Sequence, residues 1–342
     1  MRFSDVLDIR NGRNQRQVEN ENGKYPIYGS GGVIGHADNF ICDAETVVIG
    51  RKGSINNPIF VDEPFWNVDT AFGLVANKEV LLPKYLYYFC VNYNFEQLNT
   101  TVTIPSLTKA NLLQIEIRVP DMDIQQNIVN VLDKICYLID VRRKELYSLD
   151  QLVKSRFIEL FGDPVSNSYG LPEATLSDLG EFGRGVSKHR PRNDIKLLGG
   201  KYPLIQTGDV ANAGLYITSY GNTYSELGLR QSKMWDKGTL CITIAANIAK
   251  TAILEFDACF PDSVVGFIAN ERTNNIFIHY WFSFFQEILE SQAPESAQKN
   301  INLKILSELK VIVPEKRKQD EFASFVKLTD KSKHCGEMEV AA

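Results

Sequence analysis

Two rhythms of apolar residues run along this chain. Short apolar or alternating runs predict strands: ETVVIG (45–50), PIFVD (58–62), GLVAN (73–77) and LQIEIRVP (113–120). TLCITI (239–244), TAILEF (251–256), GFIAN (266–270) and LKVIVP (309–314) predict more of them later on. The second rhythm is helical. Residues 123–163 contain no proline and no glycine before Gly162, and their apolar positions follow a near-heptad stripe: Ile128, Val131/Leu132, Ile135, Leu138/Ile139, Leu146, Leu149 and Leu152/Val153. At 1.5 Å per residue such a helix is about 57 Å long, too long to bury within one small domain. It reads as a spacer that packs against another long helix, and Gly162-Asp163-Pro164 stops it. A second helix is expected over 315–333, about half as long, before the tail HCGEMEVAA. The aromatic-rich segments 82–98 and 274–289 predict helices whose rings line a core.

The pattern occurs twice. Pro120, Gln125, Ile128 and Leu132 are matched by Pro314, Gln319, Phe322 and Val326, each 194 residues on. TVVIG (46–50) matches TLCIT (239–243), and VDTAFGLVAN (68–77) matches PDSVVGFIAN (261–270), both 193 apart. KYPIYGSGGV (24–33) matches KYPLIQTGDV (201–210) at 177, so the second copy holds about 16 extra residues within 214–237. Four matches in one order imply two copies of one domain of mixed α/β character. The expected division is 1–121, a spacer helix 122–162, a second domain 163–314, and a short distal helix with its tail, 315–342.

The glycines of KYPIYGSGGVIG raise a nucleotide cradle, but G-x-G-x-x-G fails at Ile34 and no helix pattern opens behind it. The second copy replaces GSGG by QTGD, so the shared KYP strand is scaffold and the segment after it is a variable turn. Asn57-Pro58-Ile59-Phe60 resembles the N-P-P-F motif of amino-methyltransferases but lacks the second proline, and reads as a strand after an Asn-Pro turn. No G-x-S-x-G, H-E-x-x-H or phosphate-loop motif occurs, and no zinc-type spacing joins the six cysteines. Asp69 and Asp262, at equivalent places, read as turn residues. A self-contained active site is therefore not expected, nor a cofactor or metal in this chain.

A net charge of −5 excludes a protein that coats nucleic acid indiscriminately, but such a sum hides patches. Residues 184–201 hold six Lys or Arg against one acid, Asp194, and Arg10, Arg13 and Arg16 form a second cluster. Each is either a solvated loop or a phosphate contact. No run approaches the roughly 18 apolar residues that span a bilayer, and the first residues lack a signal-peptide pattern, so a cytoplasmic protein is expected.

Taken together, KYPIYGSGGVIG and KYPLIQTGDV, the two P-x4-Q-x2-apolar segments and LFGDP (160–164) resemble the specificity (S) subunit of type I restriction-modification systems. The resemblance covers essentially the whole chain. It implies an α+β fold with two target recognition domains, joined by long helices that pack as an antiparallel coiled coil. Each domain would read one half of a bipartite, asymmetric double-stranded DNA target. Two modification subunits, which bind S-adenosylmethionine and methylate adenine, would dock on this non-catalytic chain, and ATP/Mg-dependent restriction subunits would join. Base edges and phosphates are read by Arg, Lys, Asn, Gln and Thr on loops held by a rigid scaffold. The candidates in the first copy are Arg51, Lys52, Asn56, Thr101, Thr103 and Lys109. In the second they are Arg184, Lys188, Arg190, Arg192, Asn247, Lys250, Gln298, Lys299 and Asn300. Family members usually end in a second helix as long as the first, and the expected distal helix is shorter. The alternatives are a coiled-coil interaction protein without sequence-selective DNA binding, or an autonomous DNA methyltransferase.

Overall fold

A computed structural model describes residues 1–98, 106–245, 248–284 and 303–341. The chain divides into two compact units, Met1–Val141 and Arg142–Ala342. In the first unit a four-stranded antiparallel sheet runs in the order Leu7–Asn11, Ala71–Ala76, Thr46–Gly50, Ile59–Val61. In the second, the strands Gly180–Arg184, Val264–Ala269, Leu240–Thr243 and Thr251–Leu254 lie in that same order, with Tyr216–Ile217 added beyond the last. The register is also shared: Val48 faces Gly73 in one sheet and Cys241 faces Gly266 in the other. Both glycines are required by close approach. A Cβ on Gly73 would lie 2.5 Å from Cys42 Sγ, and one on Gly266 would lie 2.7 Å from the Trp235 ring.

The KYP strands form a second sheet in each unit. Tyr25–Gly29 pairs in parallel with Trp66–Asn67, and Leu198–Leu204 pairs in parallel with Ala258–Cys259. The segments immediately after these strands differ. In the first unit Gly29-Ser30-Gly31-Gly32 is a hairpin turn into the strand Gly32–Ala37, and Gly32, at φ 122°, occupies a backbone region that disfavours side chains. The turn expected at QTGD is instead the start of a short helix, Thr207–Asn212. There Asp209 reaches back to accept from the Gln206 amide at 2.7 Å, an arrangement a glycine pair would not provide. The inserted tract 214–237 supplies Asn222–Tyr224 and Met234–Trp235, which widen the second KYP sheet to four strands.

Each copy ends alike. Lys310–Ile312 pairs with Glu173–Thr175 as a short ribbon. Its counterpart, LQIEIRVP, buries Ile115 and Ile117 as an alternating strand would, but makes only the bridge Glu116 to Arg2. The reason is the partner's length: the helix Phe3–Val6 begins immediately after Arg2, leaving nothing further to pair with. The first long helix is Met122–Phe161 and the distal one is Lys316–Ala341. The distal helix thus continues through the expected tail, whose Glu, Met and Ala favour helix and which contains no proline.

A buried glutamine anchors each long helix to its own unit. Gln125 Nε2 donates to the carbonyls of Pro120 (2.8 Å) and Val80 (2.9 Å), and its Oε1 accepts from the Leu82 amide (2.9 Å). Gln319 Nε2 donates to Pro314 (2.9 Å) and Arg272 (3.0 Å), and its Oε1 accepts from the Thr273 hydroxyl (2.8 Å). In the second unit the stretch from Asp150 to Phe161 lies antiparallel to the distal helix, tied by Asp150 to Lys333 and by Arg156 to Glu321. Phe157 packs between Phe277, Phe284 and Phe322 at ring separations of 5.4, 5.5 and 5.5 Å.

Candidate nucleic-acid interface

Antiparallel pairing sends particular loops to one end of each four-stranded sheet. In the first unit the strand ending at Asn11, that ending at Gly50 and that starting at Ala71 share an end, and the loops 12–24, 51–58 and 68–70 leave from it. In the second unit the equivalent segments are 185–197, the one that follows Thr243, and 260–263. The two basic clusters of the sequence, 10–16 and 184–201, therefore leave the same strand position in each copy, a relation hidden by their different lengths. Backbone bonds weld these loops together: Gly12 donates to Ala71 (3.2 Å), Arg13 to Asn67 (2.9 Å), Arg51 to Thr70 (2.8 Å) and Leu107 to Arg51 (2.9 Å). The Trp66 indole also donates to the Arg13 carbonyl at 3.0 Å.

Among the first unit's candidates, Arg51 and Lys52 are exposed on loop 51–58, with the Arg51 guanidinium 5.7 Å from the Phe72 ring centroid. Asn56 is exposed but engaged, donating to Asn94 Oδ1 (3.1 Å) and accepting from the Phe95 amide (2.7 Å). Lys109 donates to the Ile9 carbonyl (2.6 Å) and lies 3.6 Å from Asp8. These last two therefore hold the loop end together. In the second unit Lys250 is exposed on the hairpin equivalent to loop 51–58. Thr101, Thr103, Asn247, Gln298, Lys299 and Asn300 lie outside the described residues.

The basic loop of the second unit is organised by an acid. Arg192 pairs with Asp262 Oδ1 at 2.5 Å, Arg190 stands 3.8 Å from Oδ2, and Arg184 Nε donates to the Asp262 carbonyl at 3.0 Å. Asp262 does sit in a turn, yet its carboxylate and carbonyl gather three arginines. Sequence reasoning missed this because 70 or more residues separate the partners. Arg190 also donates to the Ser187 carbonyl at 2.6 Å. Lys188 is exposed and makes no ion pair with another described residue. The Lys196 amide, then His189 Nε2 at 3.0 Å, hold the Asp194 carboxyl below its ordinary range.

The buried thiols of Cys42, Cys90, Cys241 and Cys259 are unpaired, and burial pushes Cys42 up to about 12, so none is an ionised nucleophile near neutral pH. Among the described residues no cluster of metal-ligating side chains forms, and no helix is long and apolar enough to cross a membrane.

A family model described as the type I restriction modification DNA specificity domain matches residues 1–151 and again 172–334, one match per copy. The chain belongs to that family. It is 22% identical over 270 residues to the MjaX type I restriction enzyme specificity subunit of Methanocaldococcus jannaschii, covering 75% of this chain. The match spans 63% of that relative, less than two thirds of its length. It is 23% identical over 315 residues to a type I restriction enzyme specificity subunit of Haemophilus influenzae, covering 89% of this chain and 80% of that protein. Two solved structures share the fold. The S subunit of the type I restriction-modification system of M. genitalium aligns over 100% of this chain and 91% of its own, with a TM-score of 0.65 and 17% identity. A chain from work on complex assembly and conformational transition of the type I system aligns over 100% and 93%, with a TM-score of 0.55 and 15% identity. The two specificity domains, of mixed α/β structure with a long helix between them, agree with the architecture expected from the sequence.

Proposed function

We propose that this specificity-family chain is the DNA-reading subunit of a type I restriction-modification complex in the cytoplasm. Each unit reads one half of a bipartite, asymmetric duplex target through the loops at its sheet end. Arg51 and Lys52 serve the first half, and the 185–197 loop and Lys250 the second. The observation that carries this reading is the duplicated placement of cationic loops at the same end of two sheets of identical strand order. Rigid strands hold such loops in register with base edges while leaving their sequences free to differ. The chain performs no chemistry. Two modification subunits bring S-adenosylmethionine and methylate adenine, and ATP/Mg-dependent restriction subunits complete the complex.

The test is to produce the chain with its modification subunits and map methylated adenines by single-molecule sequencing. A gapped motif is expected, and exchanging residues 51–58 should alter one half only. Methyl transfer by the purified chain alone would make it an autonomous methyltransferase. Absence of sequence-selective DNA retention in the assembled complex would make it an interaction protein.

A further inference from the structure

A cavity of about 610 Å³ in the second unit is lined by Tyr147, Asp150 and Lys154 from the first long helix, Lys333 from the distal helix, and Thr251 and His279 from the body of the domain. Lys333 is little exposed, at 16% of its side chain, and among the described residues its one hydrogen-bond and ion-pair partner is Asp150, itself 60% exposed. An ammonium carries three donors, so two have no acceptor among the described residues. That is a costly state for a charge largely withdrawn from water. His279 stands beside it: burial, then the Lys333 charge, holds the ring neutral. Its Nδ1 lies 2.9 Å from the Thr251 hydroxyl. When that hydroxyl donates, the ring proton sits on Nε2, a further donor without a partner among the described residues. Lys154 is exposed and adds a cation with no ion pair among the described residues.

The scaffold does not require these groups. Thr251 corresponds to Pro58 along the paired strands, and His279 to Tyr87, each five residues past a helix cap, Asn274 or Leu82. Lys333 corresponds to Ile139, 194 residues earlier. The first copy thus folds with no charge at any of the three positions. Its hollow of about 320 Å³ beside Pro58 and Tyr87 contains a lysine, Lys84, already paired with Asp133 at 2.6 Å. In the second unit Asp150 and Lys333 also border a neighbouring cavity of about 840 Å³, which adds Asp209 and Asp330 against Lys331. The cationic excess therefore lies on the first side.

We propose that the cavity of Lys333 and His279 binds a phosphate monoester carrying a flat ring. The phosphate accepts from Lys333 and from His279 Nε2, and Lys154 supplies a second charge against its dianion. The space is far larger than a bare phosphate needs and falls in the range of small-molecule pockets. Tyr147 and Tyr280 line the part left for the ring. Lys250, assigned above to DNA, is exposed on the rim, so a DNA phosphate is the competing occupant. A rigid duplex reaches exposed lysines, but an ammonium 16% exposed lies behind them. The site does not depend on the DNA reading proposed above.

The probes are adenosine 5′-monophosphate and phenyl phosphate, titrated into the full chain by calorimetry, with inorganic phosphate and adenosine as controls. One saturable site per chain is expected for the monoesters, with both controls weaker. Lys333→Met should weaken binding by at least about tenfold. Lys154→Met, at an exposed position where folding is not at stake, should weaken it about threefold. Lys331→Met should leave it unchanged. The chain holds only four histidines, and the ring signals of His279 in a proton magnetic resonance spectrum should move on binding. Absence of saturable binding of both monoesters, or binding indifferent to Lys333→Met and Lys154→Met, overturns the inference. So does inorganic phosphate binding as tightly as the monoesters. Displacement of the bound monoester by a stoichiometric mixed-sequence DNA duplex also overturns it, giving these cations to the DNA backbone.

Discussion

Phe322 and Ile128 occupy the same position in the two copies, so truncating each to alanine isolates the effect of the covering helix. Phe322 is fully buried, with three rings at 5.5–5.6 Å, those of Phe157, Phe161 and Tyr280. Core Phe→Ala changes cost about 3–5 kcal/mol through lost transfer energy and the cavity left behind. The edge-on ring pairs place this site toward the upper part of that range, so about 4 kcal/mol is expected for Phe322→Ala. Ile128 is more than a third exposed, and alanine gains about 0.4 kcal/mol in helix propensity, so Ile128→Ala should cost about 1 kcal/mol or less. Because two units need not unfold together, local hydrogen exchange is the appropriate measurement. Phe322→Ala should speed exchange in 142–161 and 316–333 by roughly a thousandfold, at 1.4 kcal/mol per tenfold. Ile128→Ala should change exchange in 122–141 by about fivefold at most. Equal losses of protection in the two variants would refute the reasoning, since they would mean that Ile128 is as enclosed as Phe322.

Gln125→Leu and Gln319→Leu each leave three buried backbone or hydroxyl partners unpaired. Each should destabilise its own unit by about 3 kcal/mol, and local hydrogen exchange should find each loss confined to the unit that carries the substitution. Asp262→Asn removes the carboxylate that holds Arg192 and Arg190. The assembled complex should then bind non-cognate DNA more tightly, with a steeper salt dependence by about one or two counterions in a filter-binding series. His279 is held neutral by burial first, then by Lys333, with its pKa pushed down to about 4. Its folded-state pKa lies below its unfolded value, so the unfolded chain takes up the proton first. The stabilisation is complete above about pH 6.5 and is lost as pH falls toward 4. At 1.36 kcal/mol per unit this amounts to about 2–3 kcal/mol, tempered by the ring's partial exposure. Denaturation midpoints from pH 4.5 to 7.5 should show this slope, and His279→Gln should flatten it.

The duplication was legible because it lives in local patterns. Alternation in TVVIG and TLCIT, the heptads of 123–161, and Pro120/Gln125 against Pro314/Gln319 survive in each copy regardless of what packs on them. Glycine spacing, the strand-like pattern behind it and the QTGD of the second copy together spoke against a nucleotide cradle, and the hairpin turn at Gly32 agrees. Less visible was everything that depends on distant partners. Ile115 and Ile117 alternate like a strand, yet the segment pairs at one bridge because its neighbour turns helical after Arg2. Asn56 and Lys109 looked like free polar groups until the fold brought Asn94, Phe95 and Ile9 beside them.

The sequence by itself determined that there are two copies of one mixed domain and a long helix, since periodicity and repeat spacing are properties of neighbouring residues. Only the tertiary structure decided which side chains remain available. Asp262 gathers arginines from a loop 70 residues away, and equivalent apolar positions are covered at Phe322 but open at Ile128. A heptad stripe specifies that a helix face seeks a partner. Whether that partner is present depends on which surfaces meet in space, and hydrophobic pattern carries no record of that.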